Sequence, residues 1–122
     1  MPRLFRAAVL FVVLGGVSAH AADPTAGQSV FKTQCGICHS PVAGKNMVGP
    51  SLFGIVGRKS GTIEGFRYSA ANKAADITWN TEILDKYLTS PKEVVPGTIM
   101  TYAGLKDAQK RADLIAYLTT VH

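Results

Sequence analysis

The chain has 122 residues, a formal net charge of +5 and only 2 cysteines. Its lysines and arginines are scattered, without a dense run or interleaved aromatic residues, so the composition does not indicate a nucleic-acid-binding protein. A modest positive excess of this kind instead favours brief, salt-sensitive contact with acidic protein surfaces.

The first 21 residues have the layout of a secretory signal peptide. Arg3 and Arg6 form a basic head, residues 7–17 are an apolar run, and residues 19–21 place small side chains where signal peptidase reads them. The apolar run has about half of the roughly 20 residues that a membrane span needs, so a cleaved signal is favoured over an uncleaved anchor. We therefore predict a signal peptide over residues 1–21 and export to the periplasm.

Cleavage after Ala21 leaves residues 22–122, which we predict to form a single domain. It also removes two arginines, so the mature chain has 11 Lys and Arg against 8 Asp and Glu, a net charge of +3. With so small an excess, the placement of the charges matters more than their total.

The first predicted helix begins at Asp23-Pro24, where aspartate suits the N-cap and proline suits the first helical position. It covers residues 25–37, with Val30 and Phe31 at helical spacing, and runs into the segment that contains both cysteines. Residues 40–67 are rich in glycine and proline and follow neither a helical nor a strand period. This predicts an ordered loop wrapped around a site.

Three further helices are predicted. Residues 68–75 form a short one, and residues 80–90 form a longer one that ends at Pro91. A second loop rich in proline and glycine, PKEVVPGTIMTYAG over 91–104, leads to a final helix over 106–121. The apolar stripes of the last two helices consist of Ile83, Leu84, Tyr87 and Leu88 in one and Leu114, Tyr117, Leu118 and Val121 in the other.

These elements predict an all-α domain with a thin core. Three or four short helices with few large apolar side chains supply little interior for a chain of about 100 residues. Loops of this length are uncommon in small domains unless they serve a site. A large apolar cofactor would supply the missing interior.

The stretch QCGICHS, residues 34–40, contains both cysteines and places His39 directly after Cys38. A redox dithiol would open a helix after a strand in a βαβ unit, and that pattern is absent from the sequence. Zinc needs four ligands, and after signal cleavage His122 is the one Cys or His left outside the stretch. A disulfide here would close a loop too short to constrain the unfolded chain.

Covalent haem accounts for all three side chains. Thioether bonds from Cys35 and Cys38, one helical turn apart, would fix one porphyrin edge, and His39 would direct a ring nitrogen at the iron. Cys-x-x-Cys-His is the attachment signature of c-type haem, and export is consistent with attachment outside the cytoplasm. We therefore predict one covalently bound haem c with His39 as an axial ligand of its iron.

Met100 is the predicted second axial ligand, since a His/Met pair raises the potential of haem iron. Met47 follows His39 by 8 residues and would stay on the same side of the ring, whereas Met100 lies 61 residues beyond His39. Methionine usually fills cores, but the irregular PGTIM loop is a poor place for that role. His122 is the alternative ligand.

Motifs along the whole mature chain resemble those of class I c-type cytochromes, the branch that contains mitochondrial cytochrome c and its soluble bacterial relatives. They are CxxCH at 35–39, GPSLFGIVGRKSG at 49–61, GFRYSAANK at 65–73, Trp79, YLTSPKEVVPGTIM at 87–100 and RADLIAYL at 111–118. The resemblance implies an all-α cytochrome c fold. In it the first and last helices cross, and one or two further short helices and long loops surround the haem.

The resemblance also implies roles for individual residues. Pro50 would present its carbonyl group to the other ring nitrogen of His39 and so orient the ring. The residues implied around a buried haem propionate are Arg58, Tyr68 and Trp79. Those implied in a polar cluster on the methionine side are Asn72, Tyr87 and Thr98. From the residues alone, Arg58 could equally be a solvated loop charge, and the two aromatic residues could belong to the core.

The helix crossing is implied at Gly27 and Phe31 of the first helix and at Leu114 and Tyr117 of the last. The chain also departs from the family pattern. Ile99 stands where mitochondrial members have lysine, Tyr102 where phenylalanine is usual, and Gln34 where lysine often precedes the first cysteine. Fewer lysines near the haem edge leave the partner and the docking strength open.

With both axial positions filled by protein, the expected function is electron transfer without catalysis. The resemblance implies a monomeric periplasmic carrier between a membrane-bound donor and a terminal oxidase or photosynthetic reaction centre. The alternatives are a haem enzyme or small-gas binder with a labile Met100, and an electron-transfer subunit dedicated to one dehydrogenase.

The expected partners are membrane-bound redox complexes with acidic docking surfaces, reached by transient proximity to the membrane and without nucleic acid. By the resemblance, a positive rim flanks the exposed haem edge. Its predicted members are Lys32, Lys45, Lys92 and Lys106.

Overall fold

The structure is a computed structural model that describes residues 21–122, so the predicted signal peptide lies outside the described residues apart from Ala21. The helices in chain order are α1 (Pro24–Gln34), α2 (Ala70–Ala74), α3 (Thr81–Thr89), α4 (Pro91–Val94) and α5 (Ala108–Thr119). Pairing of strand type within this range is limited to one antiparallel bridge between Lys59 and Thr78. The prediction of an all-α domain is confirmed. Over the same residues, no helix has the length and hydropathy needed to cross a bilayer.

The helices are shorter than predicted: α1 ends at Gln34 and not at residue 37, α2 is limited to Ala70–Ala74, and α5 ends at Thr119. Two differences from the predicted boundaries have a clear local cause. Pro91 does not lead into a loop but begins the one-turn helix α4, in which the Val95 N–H donates to the Pro91 carbonyl. Proline suits the first helical position because its fixed φ is helical and its missing N–H would have no helical partner there. α5 begins after Asp107, whose carboxylate accepts from the Lys110 N–H at 3.0 Å.

The start of the domain is tied to α5 through a buried carboxylate. Asp23 caps α1 by accepting from the Thr25 N–H at 2.9 Å, as its position in the sequence predicted. The Asp23 backbone N–H donates to Oδ1 of Asp113, and Nε2 of Gln109 donates to the same oxygen, both at 2.9 Å. Asp113 is only 8% exposed, so these two donors supply the hydrogen bonds that a buried charge needs.

The first and last helices cross at Gly27. A Cβ atom built there would lie 1.8 Å from the backbone oxygen of Asp113 and 2.9 Å from Cβ of Tyr117, so any larger residue collides with α5. Beside this contact the rings of Phe31 and Tyr117 lie 5.5 Å apart, and Leu114 is completely buried. The predicted crossing is thus formed by backbone-to-backbone contact, which only glycine permits.

Replacing Gly27 by alanine is therefore expected to lower the free energy of unfolding by about 3 kcal/mol, because the added methyl group forces α1 and α5 apart. The higher helix propensity of alanine, about 1 kcal/mol, offsets only part of this loss. Urea unfolding followed by circular dichroism measures the change. Gln28→Ala, at the next and exposed position of α1, is the control and should change stability by less than about 0.5 kcal/mol. Equal stability of the two variants would contradict the crossing.

The long loop after the cysteines is held by backbone hydrogen bonds to distant segments. Gly57 donates to the carbonyl of Trp79, and Trp79 donates to that of Arg58, both at 2.8 Å. Gly54 donates to the Val121 carbonyl at 2.7 Å, which joins the loop to the end of the chain. Arg58 is therefore positioned by paired backbone and not by a free loop.

Candidate functional site

The helices and loops enclose a cavity of about 440 Å³. Its lining comes from the segment after α1, the loop at 48–58, α3, the segment at 98–102 and α5. All eleven residues predicted to bind the cofactor line this cavity, namely Cys35, Cys38, His39, Pro50, Arg58, Tyr68, Asn72, Trp79, Tyr87, Thr98 and Met100. The structure thus brings together every side chain that the sequence singled out for the site.

The apolar stripes of two helices also line the cavity. Leu84 and Leu88 of α3 and Leu114 and Leu118 of α5 are at most 8% exposed, and all four contribute to the lining. The sequence assigned these residues to helix packing and did not include them in the site. The sequence did contain an indication of this role. Because the chain has few other large apolar residues, the apolar stripes of α3 and α5 remain available to contact a cofactor.

Cys35 and Cys38 lie in the turn that follows α1. The Cys35 N–H caps α1 by donating to the Phe31 carbonyl at 2.8 Å, and the His39 N–H donates to the Cys35 carbonyl at 2.9 Å. Burial, together with the neighbouring Cys38, raises the pKa of the Cys35 thiol to about 11. A redox dithiol needs a lowered pKa to form its thiolate, so this environment does not favour disulfide exchange.

A zinc site is not favoured either. Within residues 21–122, no three His, Cys, Asp or Glu side chains converge as ligands for a metal ion. His122 is exposed, and its Nδ1 lies 3.0 Å from the Thr119 carbonyl oxygen, away from the cavity lining.

His39 is fixed in orientation by the loop that follows it. Its Nδ1 lies 2.8 Å from the Pro50 carbonyl oxygen, which can only accept, so Nδ1 is the protonated nitrogen and Nε2 keeps its lone pair for a metal. The Gly49 backbone packs on the ring so closely that a Cβ atom there would lie 2.2 Å from Cε1. Burial lowers the pKa of His39, and nearby Arg58 lowers it further, against the opposing effect of the Pro50 hydrogen bond. The ring is therefore neutral at neutral pH, the form that binds iron.

Met100 lies among the polar side chains that the resemblance implied. The Tyr87 hydroxyl donates to Sδ of Met100 at 3.5 Å, and the Met100 N–H donates to Oγ1 of Thr98 at 3.2 Å. Burial raises the pKa of Tyr87, and the Thr98 side chain partly offsets this shift. Nearby, Oδ1 of Asn72 is buried and has no hydrogen-bond partner among the described residues, so a polar acceptor is left unsatisfied at the cavity wall.

Arg58 is half-buried and its guanidinium group is held by backbone. Nη1 donates to the Ser51 carbonyl at 2.9 Å, and Nη2 donates to the Phe53 carbonyl. Burial lowers the pKa of Arg58, although the nearby Tyr68 hydroxyl opposes this effect. Trp79 is 6% exposed and its ring lies 4.7 Å from that of Tyr87. Arg58, Tyr68 and Trp79 form the part of the cavity that we call the buried polar corner, and the rest of the lining is mainly apolar.

The exposed lining residues mark where the cavity meets solvent, and we call this opening the mouth. Ile37, Val48 and Ile99 are 82%, 78% and 67% exposed, so the mouth carries three aliphatic side chains. The sequence drew attention to Ile99 alone. No pattern in the sequence marked the other two as exposed. Gln34, Ile37, Val48, Ile99 and Thr101 are the exposed residues of the lining.

The remaining predicted residues lie outside this cavity. Met47 is exposed and lines a second cavity of about 370 Å³ behind His39, so it does not compete with Met100. Lys32 and Lys45 also line that second cavity. All four predicted rim lysines are exposed, and none of them lines the main cavity.

The residues present fit haem. The cavity has the size of a pocket for a large organic ligand and is lined mainly by apolar side chains. It contains two thiols for attachment, a neutral imidazole with a free Nε2, and a thioether. The guanidinium group of Arg58 adds the hydrogen-bond donors that a haem with charged propionates requires.

Comparisons with known proteins agree with this fit. The sequence profile of the cytochrome c family matches residues 24–122. Cytochrome c2 of Rhodopila globiformis is 50% identical over 104 residues, 85% of this chain and 98% of that protein. Cytochrome c2 of Blastochloris viridis is 54% identical over 111 residues, 89% of this chain and 87% of that protein. Cytochrome c of Euglena viridis is 48% identical over 99 residues, 81% of this chain and 97% of that protein. The chain therefore belongs to the cytochrome c family and binds a covalently attached haem c.

Proposed function

We propose that this chain is a periplasmic carrier of single electrons, with haem c attached to Cys35 and Cys38 and with His39 and Met100 as axial ligands. One observation supports it above the others: a single apolar cavity brings together two thiols, an oriented imidazole and a thioether whose residues lie as much as 65 positions apart in the chain. The names of the two cytochrome c2 relatives are consistent with this role.

The surroundings of the two ligands favour electron transfer over catalysis. Haem c supplies a one-electron ferric/ferrous couple. Pro50 orients the ring of His39, and Tyr87 with Thr98 holds the segment of Met100, so the fold would supply one protein ligand on each side of a bound haem. With both ligands in place, no position on the iron would remain for a substrate. An apolar lining built from helices also limits rearrangement when the charge of the iron changes.

The buried polar corner is proposed to hold a haem propionate. Arg58 uses one N–H donor on Ser51 and one on Phe53, and a guanidinium group has five, so donors remain for a carboxylate. Tyr68 accepts from the Ile63 N–H at 3.1 Å, which leaves its own O–H as a donor. Trp79 also lines the cavity, and its indole N–H would be a further donor for the propionate.

Carbon monoxide binding tests the carrier function against the rival haem enzyme or gas binder. A reduced carrier with both axial positions filled should show no change in its absorption spectrum when carbon monoxide is added at neutral pH. Stoichiometric binding without a denaturant would favour the rival. Purification at moderate salt separates the third alternative, because a subunit dedicated to one dehydrogenase should co-purify with that enzyme, and a free carrier should not.

Docking to an acidic redox partner is expected to depend on salt. The rate of electron transfer to the partner should fall as ionic strength rises from about 0.01 M to 0.15 M, where the Debye length falls from about 30 Å to about 8 Å. At low salt, Lys92→Glu should associate with the partner more slowly than the unaltered protein. Its reduction potential and absorption spectrum should be unchanged. Lys92 is a cleaner choice than Lys106, whose ammonium group also donates to the Thr89 carbonyl.

Stopped-flow kinetics with the partner membranes measures this rate. Lys110→Glu is the matched control: it makes the same charge change at an exposed lysine outside the predicted rim, and within residues 21–122 the Lys110 ammonium group has no ion pair to disturb. A rate that stays flat or rises with salt would show that docking relies on the aliphatic mouth and not on lysines. Equal effects of the two substitutions would show that only total charge matters.

A further inference from the structure

Two departures from the family pattern meet in this structure. The Tyr102 hydroxyl donates to Oε1 of Gln34 at 2.9 Å, across 68 residues of sequence. A lysine at position 34 has only donors and could not accept from this hydroxyl, and a phenylalanine at position 102 has no donor. The hydrogen bond therefore requires both departures at once.

The bond joins the two segments that carry the proposed haem ligands and attachment points. Gln34 is the last residue of α1 and directly precedes Cys35, while Tyr102 follows Met100 by two residues. Both residues line the cavity, and Gln34 belongs to its mouth. Tyr102 is less exposed than Gln34, so the hydrogen bond lies at the edge of the mouth.

The rest of the methionine segment has few other ties. Thr98 donates to the Val95 carbonyl at 3.0 Å at one end, and Leu105 donates to the Leu88 carbonyl at 2.7 Å at the other. Among the hydrogen bonds of residues 21–122, those made by residues 99–104 are a local one from Met100 to Thr98, the contact of Tyr87 with the Met100 sulfur, and the Tyr102–Gln34 bond. Sulfur is a weak acceptor, so the bond to Gln34 is the strongest polar tie between this stretch and another element.

We propose that Tyr102 and Gln34 are positioning residues, whose hydrogen bond holds residues 99–104 closed over the cavity and keeps Met100 on the iron. The inference rests on the proposed role of Met100 as a ligand. Neither side chain touches the iron; both act by slowing the opening of the segment that carries the thioether. The bond thereby sets how readily an outside ligand replaces Met100.

The rate at which uncharged imidazole binds to the ferric, haem-loaded protein measures this opening. Tyr102→Phe removes only the hydroxyl group, and Gln34→Leu replaces the amide group, with its acceptor oxygen, by an apolar side chain of similar size. Each should speed imidazole binding about fivefold, the effect of losing one hydrogen bond that is partly exposed to water. The double variant should be no faster than either single one, because the same bond is lost in all three.

Two further variants distinguish the loss of this hydrogen bond from a general loosening of the fold. Gln34→Glu keeps an acceptor oxygen and should bind imidazole no faster than the unaltered protein, provided that Tyr102 is present. Tyr117→Phe removes a hydroxyl at the α1–α5 crossing, where Tyr117 packs on Phe31, and should leave the rate unchanged. Additive effects of Tyr102→Phe and Gln34→Leu, or no effect of either, would overturn the proposal.

Amide hydrogen exchange gives a second readout that does not depend on imidazole. Peptides covering residues 99–104 should exchange faster in Tyr102→Phe and in Gln34→Leu, while peptides of α3 and α5 should not change. Failure of the ligand assignment looks different from failure of this proposal. If Met100 is not a ligand, the unaltered protein binds imidazole as fast as Met100→Ala; if only the hydrogen bond is unimportant, the unaltered protein and Tyr102→Phe are equally slow.

Discussion

Replacing both attachment cysteines, as Cys35→Ala with Cys38→Ala, is expected to abolish the covalent link between haem and the polypeptide. Both side chains line the cavity beside His39, and no other cysteine exists in the chain to replace them. In the unaltered protein, haem should stay with the polypeptide after acid–acetone extraction. In the double variant, any haem retained should be extracted completely.

Intact mass spectrometry makes the same prediction quantitative and tests the proposed export. The unaltered protein should have the mass of a chain that begins near Ala22 plus one haem, because cleavage after Ala21 and attachment both follow from export. Haem that can be extracted from the unaltered protein, or zinc in its place, would contradict the assignment of Cys35 and Cys38. A mass that includes residues 1–21 would contradict cleavage but leave the attachment intact.

Met100→Ala is expected to have the second large effect, which is to open one axial position of the iron. Carbon monoxide should then bind to the reduced protein, and the reduction potential should fall by something on the order of 0.2 V, within the range of roughly 0.8 V that axial ligands cover. The physical reason is that a thioether stabilises ferrous iron, whereas water or a stronger donor in its place favours the ferric state. Spectroelectrochemistry and a carbon monoxide titration measure the two changes.

Met47→Leu is the matched control for this prediction. Met47 is the other methionine of the described residues, and it lines the second cavity instead of the main one. Its replacement should leave the potential and the carbon monoxide response unchanged. A shift in Met47→Leu comparable to that in Met100→Ala would mean that the iron has a different ligand from the one proposed.

The aliphatic character of the mouth affects how the protein is expected to contact a redox partner. Ile99 stands where mitochondrial members of the family carry lysine, and with Ile37 and Val48 it makes the mouth aliphatic. The mouth therefore carries less charge than in those members, and we expect long-range attraction to an acidic partner to depend on lysines farther out, such as Lys92. The salt titration and the Lys92→Glu variant distinguish these two contributions.

Local sequence patterns were sufficient to predict the kind of cofactor and the class of the fold. The order Cys35, Cys38, His39 implied covalent haem because those three side chains at that spacing serve few other purposes, and the thin supply of apolar residues implied a large cofactor. Helix periodicity and the Asp23 cap located α1 to within a few residues, since both are properties of local sequence. The all-α fold followed from these local signals, and the family from the resemblance of several motifs along the mature chain.

The contacts between residues far apart in the sequence became known only from the folded chain. Periodicity marks Leu84 and Leu114 as buried but cannot say that they line a cavity, because a stripe has the same period whether it faces a helix or a cofactor. Pro91 signals the end of one helix and equally the start of another, and in the structure it marks both, because α3 ends at Thr89 and α4 begins at Pro91. The Tyr102–Gln34 hydrogen bond was visible in the sequence only as two unrelated departures. They became one feature when the chain brought positions 68 residues apart to within 2.9 Å. Contacts at such separation depend on the path of the whole chain, which no local pattern specifies.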